Sequence, residues 1–193
     1  MSEFLLELYG SVHVLRLRSA DGTNRLTSKR VLSLTDEIGH LTRQAPTAGL
    51  VIAGNARFFS AGADLAEISA LDGPAAYEFS KMGQALMTAI ADFPAPVYAA
   101  VTGYCMGGGL DLALACHHRI ASPHAIFGHR GAALGLITGW GGTQRLPRLI
   151  GKGRALEMFV AAEKISAPHA LRMNLIDAIA DDPVAEAVRR LTP

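Results

Sequence analysis

The sequence has little net charge and few cysteines. Its 193 residues carry 18 Lys and Arg against 17 Asp and Glu, and the basic residues are scattered along the chain. A nucleic-acid-binding domain would show a basic patch or stripe, so nucleic acid is not an expected partner. The two cysteines cannot form a disulfide framework and favour a reducing compartment.

Long hydrophobic runs are also missing. The most apolar window, APVYAAVTGYCMGGGL at 95–110, is interrupted by glycines and ends at Asp111, which argues against a membrane-spanning helix. The first ten residues, MSEFLLELYG, offer neither a basic n-region nor a small-residue cleavage site, so no signal peptide is predicted. We therefore expect a cytoplasmic protein without a membrane partner.

Several common catalytic and cofactor motifs are absent. No G-x-S-x-G segment is present, the GKGR segment at 151–154 lacks phosphate-loop spacing, and no G-x-G-x-x-G opens a helix after a strand. These absences argue against a serine hydrolase and against the common nucleotide-binding loops. The CHH segment at 116–118 has its only other cysteine eleven residues away, which does not fit zinc-ligand spacing. We expect no metal ion.

Half of the residues are apolar, and their spacing predicts one α/β domain over 1–193. Alternating residues at 3–8 and 11–18 indicate a β-hairpin, and continuous apolar runs at 48–54 and 96–103 indicate buried strands. Short strands are predicted on both sides of Ser122-Pro123. Helical spacing predicts helices at 28–43, 73–92, 141–150, 152–162, 167–174 and 183–191, and a further helix after the glycines at 107–109. Strands that alternate with helices imply parallel crossovers.

Two loops of small residues follow the predicted buried strands and lead into helices. They are GNARFFSAGADLAEI at 54–68 and GYCMGGGLDLALAC at 103–116. Open α/β sheets bind ligands at the carboxyl ends of their strands, and bare backbone at a helix start presents free N–H groups. Two such groups on one oxygen would form an oxyanion hole. Alternatively, the glycines allow close helix packing, and Asp111 is only a favourable first-turn residue.

Together these segments resemble the crotonase superfamily of enoyl-CoA hydratases and isomerases. FFSAGADLAEI and VTGYCMGGGLDLALACHHRIASPHAIFG resemble its two oxyanion segments, and LGLITGWGGTQRLPRLIGKGRALEMFVAAEKISAPHALRMNLID resembles its downstream pattern. The resemblance covers most of residues 10–180. It implies a crotonase-like ββα spiral over 1–140, and a helical C-terminal part over 141–193 that looks shortened. It also implies an acyl-CoA substrate, no cofactor beyond the coenzyme A of the substrate, and a homotrimer or hexamer.

The resemblance also assigns roles by position. The backbone N–H groups of Ala63 and Gly108 would form the oxyanion hole for the thioester, and Asp111 would be the catalytic carboxylate. Trp140 is expected to wall the acyl pocket. The remaining substrate-binding positions lie in the two loops and at the second acid position: Ala61, Gly62, Asp64, Leu65, Ala66, Gly107, Gly109 and Gly131.

The chain departs from the hydratase pattern at both acids. Hydratases of the family use two glutamates, whereas this sequence has the shorter Asp111 at the first position and Gly131 at the second. The nearest titratable substitutes for the second acid are His129 and Arg130, and Thr138 falls at the same site. Arginine cannot act as a base near neutral pH.

Three interpretations remain open. The first is an acyl-CoA enzyme of the enoyl-CoA hydratase/isomerase type. The second is a relative of the methylmalonyl-CoA decarboxylase branch that uses Asp111 alone. The third is a catalytically silent acyl-CoA-binding or assembly subunit. Relatives usually continue past a position like Pro193 into a helical segment that covers the acyl site. We therefore expect a more open site, closure by a neighbouring subunit, or reduced activity.

Overall fold

The computed structural model describes residues 3–192 as ten strands, eight α-helices and one 3-10 turn, Gly131–Leu134. The strands are β1 (Phe4–Tyr9), β2 (Val12–Leu17), β3 (Leu50–Ala53), β4 (Phe58–Ser60), β5 (Val97–Val101), β6 (Tyr104–Met106), β7 (His118–Ala121), β8 (Ile126–Gly128), β9 (Ile165–Ser166) and β10 (Ala178–Ile179). The helices are α1 (Ser28–Gln44), α2 (Leu65–Ser69), α3 (Gly73–Ala91), α4 (Gly108–Ala115), α5 (Gly142–Ile150), α6 (Lys152–Ala161), α7 (Ala167–Arg172) and α8 (Pro183–Leu191).

The strands form two sheets. The larger has the order β1-β2-β3-β5-β7-β10, in which only the β1–β2 hairpin is antiparallel. The smaller has the order β4-β6-β8-β9, with β4, β6 and β8 parallel. Strands β3, β5 and β7 each lead into a short strand of the smaller sheet. The chain therefore alternates between the sheets and winds as the predicted ββα spiral.

The apolar residues whose spacing predicted the strands and helices form the buried faces of those elements. Every residue of β3 and β5 is buried, as continuous apolar runs predict for central parallel strands. Helix α1 buries Val31, Leu34, Ile38 and Leu41, and the Thr27 side chain caps its N-terminus by accepting from the Arg30 N–H. The prediction of two central strands and a covering amphipathic helix is confirmed.

The C-terminal part is mostly helical and also contributes to both sheets. The four predicted helices correspond to α5, α6, α7 and α8, with α7 ending two residues earlier than predicted. The two-residue strands between them were not predicted: β9 pairs with β8, and β10 pairs with β7. Strands this short carry no periodic signal. The segment 141–193 is therefore joined to the spiral by hydrogen bonds as well as by packing.

None of the helices within residues 3–192 combines the length and the apolar character needed to span a bilayer.

Candidate functional site

A cavity of about 340 Å³ lies where the two small-residue loops meet. Nine of the twelve predicted site residues line it: Ala61, Gly62, Ala63, Leu65, Gly107, Gly108, Asp111, Gly131 and Trp140. The other three, Asp64, Ala66 and Gly109, do not line this cavity. The structure thus brings together loops and side chains that are up to 79 positions apart, from 61 to 140, around one space.

The loops after β4 and β6 approach each other through their backbones. A Cβ atom built on Gly62 would lie 3.1 Å from the Gly108 nitrogen, and one built on Gly108 would lie 3.2 Å from the Ala63 nitrogen. Within residues 3–192, neither the Ala63 N–H nor the Gly108 N–H has a hydrogen-bond acceptor. Both residues line the cavity. Two backbone donors are therefore available at one place.

The first loop is fixed by a strand-like pairing with the segment that precedes α1. The Leu26 N–H donates to the Gly62 carbonyl over 2.8 Å, and the Asp64 N–H donates to the Leu26 carbonyl over 3.3 Å. Ala63 lies between these two bonds and forms the isolated bridge with Leu26. Its own N–H is thereby left facing away from the pairing, and its position is held from both sides.

Glycine is needed at each position of the triplet 107–109 for a different physical reason. Gly107 has φ of 52°, a backbone region that side chains rarely adopt, and its carbonyl accepts from the Leu110 and Asp111 N–H groups of α4. Gly108 faces the cavity and Trp140. A Cβ on Gly109 would lie 2.7 Å from the Ser60 carbonyl oxygen, so this glycine permits close packing of α4 on β4. The close-packing interpretation therefore holds for Gly109, whereas Gly108 leaves backbone open to the cavity.

Asp111 is a buried carboxylate on the first turn of α4, with 1% of its surface exposed. Thr138 donates a hydrogen bond from Oγ1 to the Asp111 Oδ2 atom. The other oxygen, Oδ1, lies against Gly142, the first residue of α5. The carboxylate therefore lies at the N-termini of two helices, whose partial positive charges favour an anion.

His129 is the second buried titratable group of the site, with 4% of its surface exposed. Its Nε2 lies 3.3 Å from the Asp111 Oδ1 atom, and its ring packs on Phe159 with centroids 5.2 Å apart. The sequence indicated His129 only as one of two titratable residues close to Gly131, the other being Arg130. Its pairing with Asp111 was not predicted, because it depends on how β8 and α4 are placed in the fold.

Gly131 begins the 3-10 turn and lines the cavity without a side chain. Its carbonyl accepts from the Leu136 N–H over 2.9 Å, and a Cβ on it would lie 2.6 Å from the Leu136 carbonyl oxygen. The turn leaves no room here for a longer side chain. The neighbouring Arg130 is exposed and also lines the cavity.

Trp140 forms a wall of the cavity, as predicted. Its Nε1 donates to the Phe79 carbonyl over 3.2 Å, and its ring packs on that of Phe79 with centroids 5.2 Å apart. Gly83 in α3 leaves space for the indole, since a Cβ there would overlap it. The indole is 3% exposed and is held by α3 on one side and Gly108 on the other.

Most of the large exposed side chains that line the cavity are apolar. They come from α2, from the last residue of the 3-10 turn and from the segment that follows it: Leu65, Leu134, Leu136 and Ile137. Such a lining suits an acyl chain or another apolar group that enters from solvent.

Asp64 has a structural role at the edge of this region. Its Oδ1 caps α2 by accepting from the Ala66 and Glu67 N–H groups, and its Oδ2 pairs with Arg25 over 3.2 Å. The hydrogen bond from the Glu67 N–H, together with Arg25, lowers the pKa of the Asp64 carboxyl. Its side chain fixes the helix after Ala63 and so supports the loop indirectly.

Comparison with known proteins agrees with this geometry. The family model described as enoyl-CoA hydratase/isomerase matches residues 7–192. A probable enoyl-CoA hydratase of Bacillus subtilis (strain 168) is 40% identical over 168 residues, which are 86% of this chain and 65% of that protein. A crotonyl-CoA hydratase of Syntrophomonas wolfei is 36% identical over 176 residues, 91% of this chain and 68% of that protein. The chain thus spans about two thirds of the length of these relatives.

Solved structures give the same result. DspI of Pseudomonas aeruginosa superposes with a TM-score of 0.91 at 33% identity, covering 98% of this chain and 80% of DspI. An enoyl-CoA hydratase from Bacillus anthracis superposes with a TM-score of 0.88 at 32% identity, covering 98% of this chain and 73% of that structure. The fold is the crotonase fold, and the chain belongs to the enoyl-CoA hydratase/isomerase family.

Proposed function

We propose that this chain acts on acyl-CoA thioesters by stabilising an enolate-like anion at the thioester oxygen. The observation that carries the proposal is the pair of unpartnered N–H groups, Ala63 and Gly108, on two loops that meet at the cavity. Donors of this kind stabilise charge that develops in the transition state, and the loss of one costs about 3–4 kcal/mol of barrier in other enzymes. The N-terminus of α4 adds a partial positive charge beside the same oxygen.

Asp111 is the proposed proton-transfer group. Among the described residues that line the cavity, it is the one carboxylate. Thr138 holds one of its oxygens, and the other remains available for proton transfer. A positioned acid or base contributes about 10²–10⁴-fold to a rate. Coenzyme A enters as part of the substrate, so the proposal requires no separate cofactor.

Hydration of a short enoyl-CoA is the reaction that we favour. The printed names of the two curated relatives, enoyl-CoA hydratase and crotonyl-CoA hydratase, support this choice. The glycine at 131 counts against a hydratase with two carboxylates, because the second acid position has no side chain. Decarboxylation with Asp111 alone is the second candidate, and the single carboxylate of the cavity is the observation that favours it.

The experiment is a panel of thioesters. Purified protein is incubated with crotonyl-CoA, a 3-enoyl-CoA and methylmalonyl-CoA, and the products are identified by mass spectrometry, with Asp111→Asn as the control variant. We expect 3-hydroxybutyryl-CoA from crotonyl-CoA, and far less of it with the variant. If methylmalonyl-CoA is the only thioester that gives a product, decarboxylation replaces hydration as the proposed reaction. Acyl-CoA binding without any turnover would establish the silent-subunit interpretation.

A homotrimer or a dimer of trimers is the proposed assembly. Leu156 and Val160 lie one turn apart on α6 and are 63% and 69% exposed, an apolar face that subunit packing would cover. The two cysteines are free and buried, which fits a reducing compartment such as the cytoplasm. Sedimentation at micromolar concentration tests the assembly, and a monomer would contradict it.

A further inference from the structure

The contact between His129 and Asp111 is an unusual feature of the cavity wall. The two side chains are 5% and 2% exposed, and the Nε2 and Oδ1 atoms lie 3.3 Å apart. Among the described residues, these two atoms are also buried side-chain atoms without a hydrogen bond of good geometry. Buried polar atoms are rarely left unpaired without a functional or structural reason. The two atoms that lack partners face each other, and both residues line the cavity.

The other groups that contact this pair are uncharged. Phe159 of α6 packs on the imidazole ring, and Gly142 of α5 approaches both Nε2 and Oδ1. Thr138 binds the opposite oxygen of Asp111. Arg130, the next residue in the chain, is exposed and stays cationic over the accessible pH range. Asp111 is therefore the titratable group in direct contact with His129 in the part of the chain that the structure describes.

A carboxylate alone is rarely protonated near neutral pH, since ordinary aspartic acid has a pKa of about 3.9. An imidazole changes charge between about pH 5 and pH 8 and so holds a proton better under these conditions. Acid–base catalysis is most efficient when the proton-holding group titrates near the working pH. Contact with an imidazole gives the carboxylate a second proton acceptor where the cavity has no second carboxylate.

We propose that His129 is a positioning residue that holds the transferred proton for Asp111, in place of the carboxylate that Gly131 lacks. The inference rests on the proposed function, because it concerns the proton that moves while the thioester anion forms. Asp111 is the residue that meets the substrate, and His129 acts through its carboxylate.

The proton balance is as follows. When a proton leaves the carbon next to the thioester carbonyl, its C–H bond breaks and the electron pair moves into the carbonyl group, which gives the enolate. The proton forms a bond to Asp111 Oδ1. The O–H bond then breaks as a bond to His129 Nε2 forms, which leaves a carboxylate beside an imidazolium. Return of the proton along the same path reprotonates the carbon. For hydration, the water oxygen forms a bond to the third carbon while the C=C electron pair moves into the carbonyl group to give the enolate. The O–H bond of the water breaks, and its proton follows the same two transfers before it forms a bond to the second carbon.

The test compares the pH dependence of kcat for the wild type, His129→Gln and His124→Gln, using the fastest thioester of the panel. Glutamine retains a polar group that can contact Asp111 but cannot hold the proton. His124 is exposed in the β7–β8 turn and serves as the matched control. Thermal unfolding and acyl-CoA affinity, measured by calorimetry, establish that each variant is folded. If turnover is too slow, hydrogen–deuterium exchange at the second carbon of butyryl-CoA in D₂O replaces kcat.

In the wild type, kcat should fall as the pH is lowered, because only neutral imidazole accepts the proton. We expect His129→Gln to lower kcat on the order of 10²-fold, with KM little changed and without this acidic limb. His124→Gln should match the wild type.

An unchanged kcat and pH profile in His129→Gln would overturn the role of His129 and leave the proposed function standing. A wild-type kcat that does not fall at low pH would also overturn the role of His129, whether or not the variant folds. A wild type with neither turnover nor exchange would overturn the proposed function, and this inference with it.

Discussion

Replacement of Gly108 by alanine introduces one methyl group at the proposed oxyanion hole. The new Cβ would lie 3.2 Å from the Ala63 nitrogen and 2.7 Å from a ring carbon of Trp140. An oxyanion bound by these donors would lie about 2.7–3.1 Å from each nitrogen. The methyl group therefore occupies the space that the thioester oxygen needs.

The expected effects on catalysis and on stability differ in size. Loss of one oxyanion donor lowers kcat by about 10²–10³-fold, and we expect at least the lower figure because the methyl group obstructs both donors. Contact with Trp140 costs about 1–3 kcal/mol as overpacking. Alanine recovers about 1 kcal/mol relative to glycine in a helix. The free energy of unfolding should therefore fall by about 0–2 kcal/mol, which leaves the protein folded.

The assay measures kcat on the best thioester of the panel, together with the melting temperature. Gly153→Ala is the matched control, since a Cβ on this helical glycine has no atom within 4 Å, and we expect it to keep full activity. If Gly108→Ala keeps kcat within about threefold of the wild type at an unchanged melting temperature, the loop after β6 does not bind the reacting oxygen.

Three further predictions concern the site and the core. Asp111→Asn should lower kcat by about 10²–10⁴-fold without unfolding the chain, because the amide keeps the shape but cannot take a proton; steady-state kinetics check this. Gly131→Glu should not restore a second acid: its Cβ would lie 2.6 Å from the Leu136 carbonyl oxygen, so thermal unfolding should reveal a loss of about 1–3 kcal/mol, and a stable, faster variant would contradict this. Neither cysteine should react with a thiol reagent at pH 8 until urea is added, because burial raises the pKa of Cys105 well above its usual value and that of Cys116 to about 12; rapid labelling of the native protein would refute this.

The main elements could be predicted from the sequence because their patterns are long. Strands β3 and β5 follow from continuous apolar runs, and α1 and α3 from residues repeated every three or four positions. The strands β4, β6, β9 and β10 have two or three residues each. At that length a strand has no readable alternation, and its formation depends on a neighbouring strand that is distant in sequence.

The part of the candidate site that consists of backbone groups could be predicted from the sequence. The small residues of the two loops predicted that bare backbone would meet at one place, and the resemblance assigned Ala63, Gly108 and Asp111 to it. Side-chain pairing could not be predicted from the sequence, because His129 and Thr138 approach Asp111 only where β8 and the segment before α5 end beside α4. For the same reason Asp64 was assigned to the substrate, although its carboxyl caps α2 and pairs with Arg25.

The central claim is that the Ala63 and Gly108 N–H groups bind the thioester oxygen. Carbon-13 NMR of butyryl-CoA labelled at the thioester carbonyl measures this directly, with the wild type and Gly108→Ala in parallel. Hydrogen bonds from both donors should polarise the carbonyl, so the account predicts a downfield shift of its resonance on binding to the wild type and a smaller one or none with the variant. A bound thioester whose carbonyl resonance stays at its position in water, or shifts equally with both proteins, would contradict the account.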